Sequence, residues 1–128
     1  MAKKVLSIIE SAYRATLEEQ DDTIVWLTHA MKSAGANVDV LLRGNAVNYA
    51  VKGQDASGLA FGERNQTQPP RLEEDVAKLP AKGVKVFIIE DDLVERGIER
   101  VELIGGLETV PRAGLRKLFA GYDQVWHW

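Results

Sequence analysis

Apolar residues in this chain gather into short runs separated by stretches of helical spacing. Residues 5–9, 38–42 and 84–89 are short, apolar and β-branched, the pattern of strands buried on both faces. Between the first two, Ile24, Leu27, Met31 and Ala34 recur at helical spacing and are expected to face the sheet. Asp21 or Asp22 caps this helix, and Gly35 stops it. Gly44-Asn45 turns the chain into a short helix over about 46–52, ended by Gly53. Residues 54–70 carry Gly58, Gly62, Pro69 and Pro70 with little periodicity and predict a long surface loop. Leu72, Val76 and Leu79 predict a helix that opens on Glu73-Glu74-Asp75 and ends at Pro80. After the third strand come a short helix ending at Gly97, a strand over 107–110, a helix over 115–120 and a strand over 124–128. Gly105-Gly106 reads as a turn.

Strands alternating with helices predict an α/β fold. It is a mainly parallel five-stranded sheet with helices on both faces, layered as in flavodoxin-like and Rossmann-like proteins. The first and third strands are the most apolar and are expected to be central.

Ligands of a parallel sheet bind outside the carboxyl ends of its strands. Polar clusters follow all three predicted strands: Glu10, Ser11, Tyr13 and Arg14; then Arg43, Asn45, Asn48 and Tyr49; then Glu90, Asp91 and Asp92. A parallel sheet places them on one rim. The first two clusters and Glu90 are the candidate ligand-binding residues, with Glu90 and Asp91 the candidate catalytic acids.

Each has a structural alternative. Acids that open a helix satisfy its free N–H groups, as the same habit at Asp21-Asp22 suggests for Asp91 and Asp92. Glu90 is either a site residue or an ion-pair partner of Arg14 or Arg43. The arginines either grip a carboxylate, sulfate or phosphate, or neutralise the rim acids. Asn45 after Gly44 also suits a turn. Ser11 has no histidine nearby in sequence, so a serine hydrolase is unsupported. His29 lies off the apolar stripe and reads as solvated. His127 shares a strand face with Val125, while Trp126 and Trp128 share the other and finish either the core or a subunit interface. Two histidines without ligand spacing predict no metal site, and no phosphate-binding glycine motif occurs, so no cofactor is expected.

Composition narrows the picture. A chain of 128 residues with 45% hydrophobic and 27% charged residues is expected to form one domain over 1–128. Its net charge of −3 argues against a nucleic-acid partner. No apolar run approaches the ~20 residues of a membrane span, and the first ten residues lack a signal-peptide pattern. A cytoplasmic protein is expected. The chain has no cysteine, which excludes disulfides, thiolate metal sites and any persulfide carried by this chain.

Several stretches together resemble the DsrE/DsrF-like sulfur-relay family. They are Lys4-Val5-Leu6-Ser7-Ile8-Ile9, Val38-Asp39-Val40-Leu41-Leu42-Arg43-Gly44-Asn45-Ala46-Val47, Gly83-Val84-Lys85-Val86-Phe87-Ile88-Ile89, Glu95-Arg96-Gly97-Ile98 and Tyr122-Asp123-Gln124-Val125-Trp126-His127-Trp128. The resemblance rests on their order and spacing over nearly the whole chain. It implies a small α/β subunit that assembles with itself into a trimer or hexamer; the long loop 53–70 and the terminal aromatics Trp126 to Trp128 are the expected contacts. It also implies a sulfur-relay protein as a possible partner. Sulfur-transferring members of the family carry their active cysteine after the third strand, just before the helix ending in an Arg-Gly step. Here Ile89 or Glu90 stands there, so the chain alone is not expected to be a sulfurtransferase. Two functions compete: a cysteine-less, non-catalytic or small-ligand-binding subunit linked to sulfur metabolism, and an enzyme using Glu90 and Asp91 with the arginines on an anionic substrate. A raised carboxylate pKa in a closed pocket would favour the enzyme.

Overall fold

A computed structural model of the chain describes residues 3–13, 22–55, 58–67, 69 and 71–128. The apolar runs form the predicted strands: β1 (Lys4–Ile9), β2 (Asn37–Leu42), β5 (Val86–Ile89), β6 (Glu108–Val110) and β7 (Gln124–His127). They make one five-stranded sheet in the order β6-β5-β2-β1-β7, with every pairing parallel. The expected α/β class and parallel sheet are therefore observed. β2 is the middle strand, and the more apolar β1 and β5 flank it inside the sheet. Strands β3 (Ala60–Phe61) and β4 (Arg64–Asn65) form a separate antiparallel hairpin within the segment expected to be a plain loop. Gly62 turns that hairpin with φ of 64°.

The sheet has two different faces. Ile9, Val40, Leu42, Val86 and Ile88 pack beneath α1 (Thr23–Ser33), a 3-10 helix (Gly44–Ala50), α2 (Leu72–Ala81) and α3 (Glu90–Glu95). Leu6, Ile8, Leu41, Phe87 and Ile89 face the other way, toward Leu115, Leu118 and Phe119 of α4 (Leu115–Ala120). Topology explains this. From β1 to β6 each crossover steps outward in the same direction, whereas the connection through α4 returns across the sheet. Crossovers of one hand then place its helix on the opposite face.

Some local expectations need correction. Asp22 caps α1, its Oδ1 accepting from the N–H groups of Ile24 and Val25 at 2.8 and 3.1 Å; Asp21 lies outside the described residues. The buried residues of α1 are Ile24, Val25 and Thr28, whereas Leu27 and Met31 are half-buried and Ala34 is exposed. The expected stripe is thus rotated. The reason is that α1 reaches beyond the sheet edge, where Leu27 and Met31 line an open cavity of about 540 Å³ with Trp126, His127 and Trp128. Pro80 sits in the last turn of α2, and the helix continues to Ala81. The short helix after β2 spans Gly44–Ala50, not 46–52, and is of 3-10 type.

Candidate functional site

In this strand order the chain leaves β1 toward β2 and finally returns as β7 on its other side. The topological switch point, where open α/β sheets most often place ligands, therefore lies between β1 and β7. Trp128 N–H donates to the Ile8 carbonyl at 2.9 Å, and Glu10 N–H donates to the Trp128 carbonyl at 3.0 Å, so the pairing continues to the rim. Glu10 emerges there between the His127 imidazole and the Arg43 guanidinium. Its Oε2 accepts from His127 Nε2 at 2.8 Å, and its Oε1 lies 3.6 Å from Arg43 Nε. The carboxylate only accepts, so His127 Nε2 carries the hydrogen of this bond. Side chains of all three are between 37% and 50% exposed, so a ligand could reach them. Gly44 admits this arrangement: a Cβ there would lie 3.2 Å from Glu10 Cγ, and its φ is +58°. Ser11 is exposed beside the same strand end, its N–H 3.4 Å from the Trp128 carbonyl.

A second polar group follows β5. Asp92 is only 6% exposed. Its carboxylate accepts from Gly44 N–H at 2.8 Å and from Arg112 Nη2 at 2.5 Å, with Arg96 Nη1 4.0 Å away. Glu90 pairs with Arg100, not with Arg43. Arg96 reaches Asn45 Oδ1 at 3.0 Å, and Arg112 also meets Glu95 at 3.3 Å. Asp91 accepts from Arg112 N–H at 2.8 Å, a bond that holds its carboxyl below the usual carboxylate range. The Asp92 carboxylate in turn raises the Arg112 guanidinium. Asp91 and Asp92 lie in the first turn of α3, whose N-cap, Ile89, makes no side-chain cap bond, and their carboxylates also bind Arg112 and Gly44 of other segments.

A third group gathers around the buried Tyr49. Tyr49 is fully buried, donates its hydroxyl to Asp22 Oδ2 at 2.6 Å and accepts from Tyr13 N–H. Tyr13 is the one non-glycine at positive φ among the described residues, at 58°. Its ring meets Tyr49 edge-on at 5.2 Å, and its hydroxyl donates to Gln54 Oε1 at 2.6 Å. Partial burial raises the Tyr13 hydroxyl above its ordinary pKa. Asn48 donates through Nδ2 to the Asn45 carbonyl at 2.8 Å, a turn-stabilising bond. Arg14 lies outside the described residues.

The rim residues therefore divide among four sets of partners. Glu10 and Arg43 meet directly; Asn45 joins the network of Arg96, Asp92 and Arg112; Glu90 pairs separately with Arg100; Tyr13 and Tyr49 meet edge to face. His127, which sequence spacing gave no reason to select, joins the first set. Strand alternation does place it on the face of Ile8, its partner in register. His29, expected in solvent, is half-buried: its Nε2 lies 2.7 Å from the Asp75 carbonyl, and its buried Nδ1 has no hydrogen-bond partner among the described residues. Among the described residues no three histidine, aspartate or glutamate side chains are grouped to hold a metal ion. No described helix is long and apolar enough to cross a membrane.

No family model matches this chain, and no curated protein sequence matches it. Among the solved structures that resemble it are two that match over nearly their full length. The ychN protein from E. coli superposes with a TM-score of 0.74 at 18% identity, covering 98% of this chain and 99% of that one. A protein of unknown function, MTH1491 from Methanobacterium thermoautotrophicum, superposes with a TM-score of 0.61 at 15% identity over 98% and 99%. At these identities the likeness lies in the fold, so this chain has the α/β architecture of the ychN protein.

Proposed function

We propose that this protein is a DsrE-like, single-domain subunit without the sulfur-carrying cysteine, acting as a non-catalytic, small-ligand-binding component of an oligomer linked to sulfur metabolism. The observation that carries this reading is the end of β5. The position at which the family resemblance expects a persulfide-bearing cysteine is Ile89 or Glu90, and the chain contains no cysteine. A thiolate is both nucleophile and carrier in a sulfur relay, and neither side chain can replace it. The rim supports binding over acid/base chemistry. Glu90 is ion-paired, and Asp91 is shifted down, opposite to the raised carboxyl that a general acid needs. The ligand site we favour is the switch-point crevice of Glu10, Ser11, Arg43 and His127.

Intact-mass measurement after incubation with a persulfidated donor protein tests the central point. No gain in mass is expected; the addition of one sulfur atom to this chain would falsify the proposal.

A further inference from the structure

We propose that the groove between α4 and the amino-terminal end of the sheet binds a small organic anion. Its charge is held by Lys4, Lys85 and Lys117, and its apolar body lies against Phe87, Leu118 and Tyr122. These residues line an open cavity of about 390 Å³ on the face opposite α1 and α2. That is within the roughly 300–1,000 Å³ of small-ligand sites. The three lysines come from β1, the lead into β5 and α4, so only the fold unites them. Among the described residues, none of their ammonium groups lies within ion-pair reach of a carboxylate.

The nearby acids meet the lining residues through backbone N–H and hydroxyl groups, not through the ammonium groups. Asp39, 5% exposed, accepts from Tyr122 O–H at 2.6 Å and from Lys85 N–H at 2.9 Å. Asp123 accepts from Lys4 N–H at 2.7 Å. Glu108, exposed on β6, is the remaining acid toward Tyr122. The Asp39 bond fixes the Tyr122 ring as a platform, and Lys4 Nζ already lies 4.9 Å from its centroid. Gly114 and Gly121 line the groove at the two ends of α4, keeping its mouth free of side chains there. A cation over a fixed ring, two more cations and an apolar wall suit a flat molecule bearing a carboxylate, sulfonate or phosphate.

The probe is 8-anilinonaphthalene-1-sulfonate, titrated by fluorescence, with the neutral N-phenyl-1-naphthylamine as control. The sulfonate should bind the unmodified protein, bind more weakly in high salt, and lose about tenfold in affinity in the double variant Lys85→Gln, Lys117→Gln. The neutral dye should be unaffected by the substitutions. Absence of sulfonate binding, equal affinity in the variant, or equal loss for both dyes would overturn the proposal. If the double variant loses its far-ultraviolet circular dichroism, Lys117→Glu on the exposed side of α4 carries the same expectation.

Discussion

At the scale of single residues, the buried Tyr49 and the half-buried His29 carry consequences that can be measured. The Tyr49 hydroxyl joins the cap of α1 to the loop after β1, bonding Asp22 on one side and Tyr13 N–H on the other. Tyr49→Phe leaves a buried carboxylate oxygen and a backbone donor short of a partner. A loss of about 1–3 kcal/mol is expected in urea unfolding; an unchanged midpoint would show that the link is idle. His29 supplies a pH effect. Burial, its largest influence, lowers its pKa, and Lys82 and Lys78 lower it further against the opposing bond to the Asp75 carbonyl. Because the folded pKa lies below the unfolded one, the unfolded chain binds more protons between them, so stability falls as pH drops below about 6.5. Comparing unfolding at pH 7.5 and 5.5, the His29→Gln variant should lose this part of the slope. Equal slopes in both proteins would remove His29 as the cause.

At the scale of elements, Asp92 is the joint between β2, β5 and the segment after β6. It holds Gly44 N–H at the exit of β2 and the Arg112 guanidinium beyond β6, while sitting in the first turn of α3. A double-mutant cycle with Asp92→Asn and Arg112→Gln should give a coupling of about 0.5–3 kcal/mol. Additive losses would mean that the two side chains act separately. The same junction distinguishes the two positions where the relay cysteine could have stood. Ile89 is 1% exposed and packs in the core beneath α4, whereas the Glu90 side chain is 40% exposed where α3 begins. An introduced thiol at Glu90 (E90C) should therefore accept sulfur from a persulfide donor, and one at Ile89 (I89C) should remain inert because burial suppresses the thiolate. Mass spectrometry reads both. Equal inertness would mean the resemblance misplaces the relay position.

At the scale of the whole molecule, apolar surface is distributed unevenly. Trp26 is 64% exposed, Val125 41% and Trp128 37%, and the last two lie at the β7 edge of the sheet. An unpaired edge strand beside aromatic surface is a ready site for association. With the family resemblance, this leads us to expect a trimer or hexamer in solution. Native mass spectrometry at micromolar concentration measures it directly, and a monomeric mass would end that expectation.

The sequence by itself determined the α/β class, because short apolar runs and stretches of helical spacing alternate along it and each must bury its apolar side chains. It also placed the strand cores and narrowed the α1 cap to Asp21 or Asp22, since these depend on neighbouring residues alone. The two-residue hairpin strands escaped because so short a ladder leaves no periodicity. The burial of His29 escaped because it depends on α2 lying against α1, 46 residues away in sequence. Only the tertiary structure decided the partners of the charged residues. Glu10 with His127, separated by 117 residues, and Glu90 with Arg100 follow from strand order and loop path, which leave no local trace. The switch point between β1 and β7, and the meeting of Lys4, Lys85 and Lys117, arise in the same way. Both depend on which strands become neighbours, and that is settled by how the two faces of the sheet are covered.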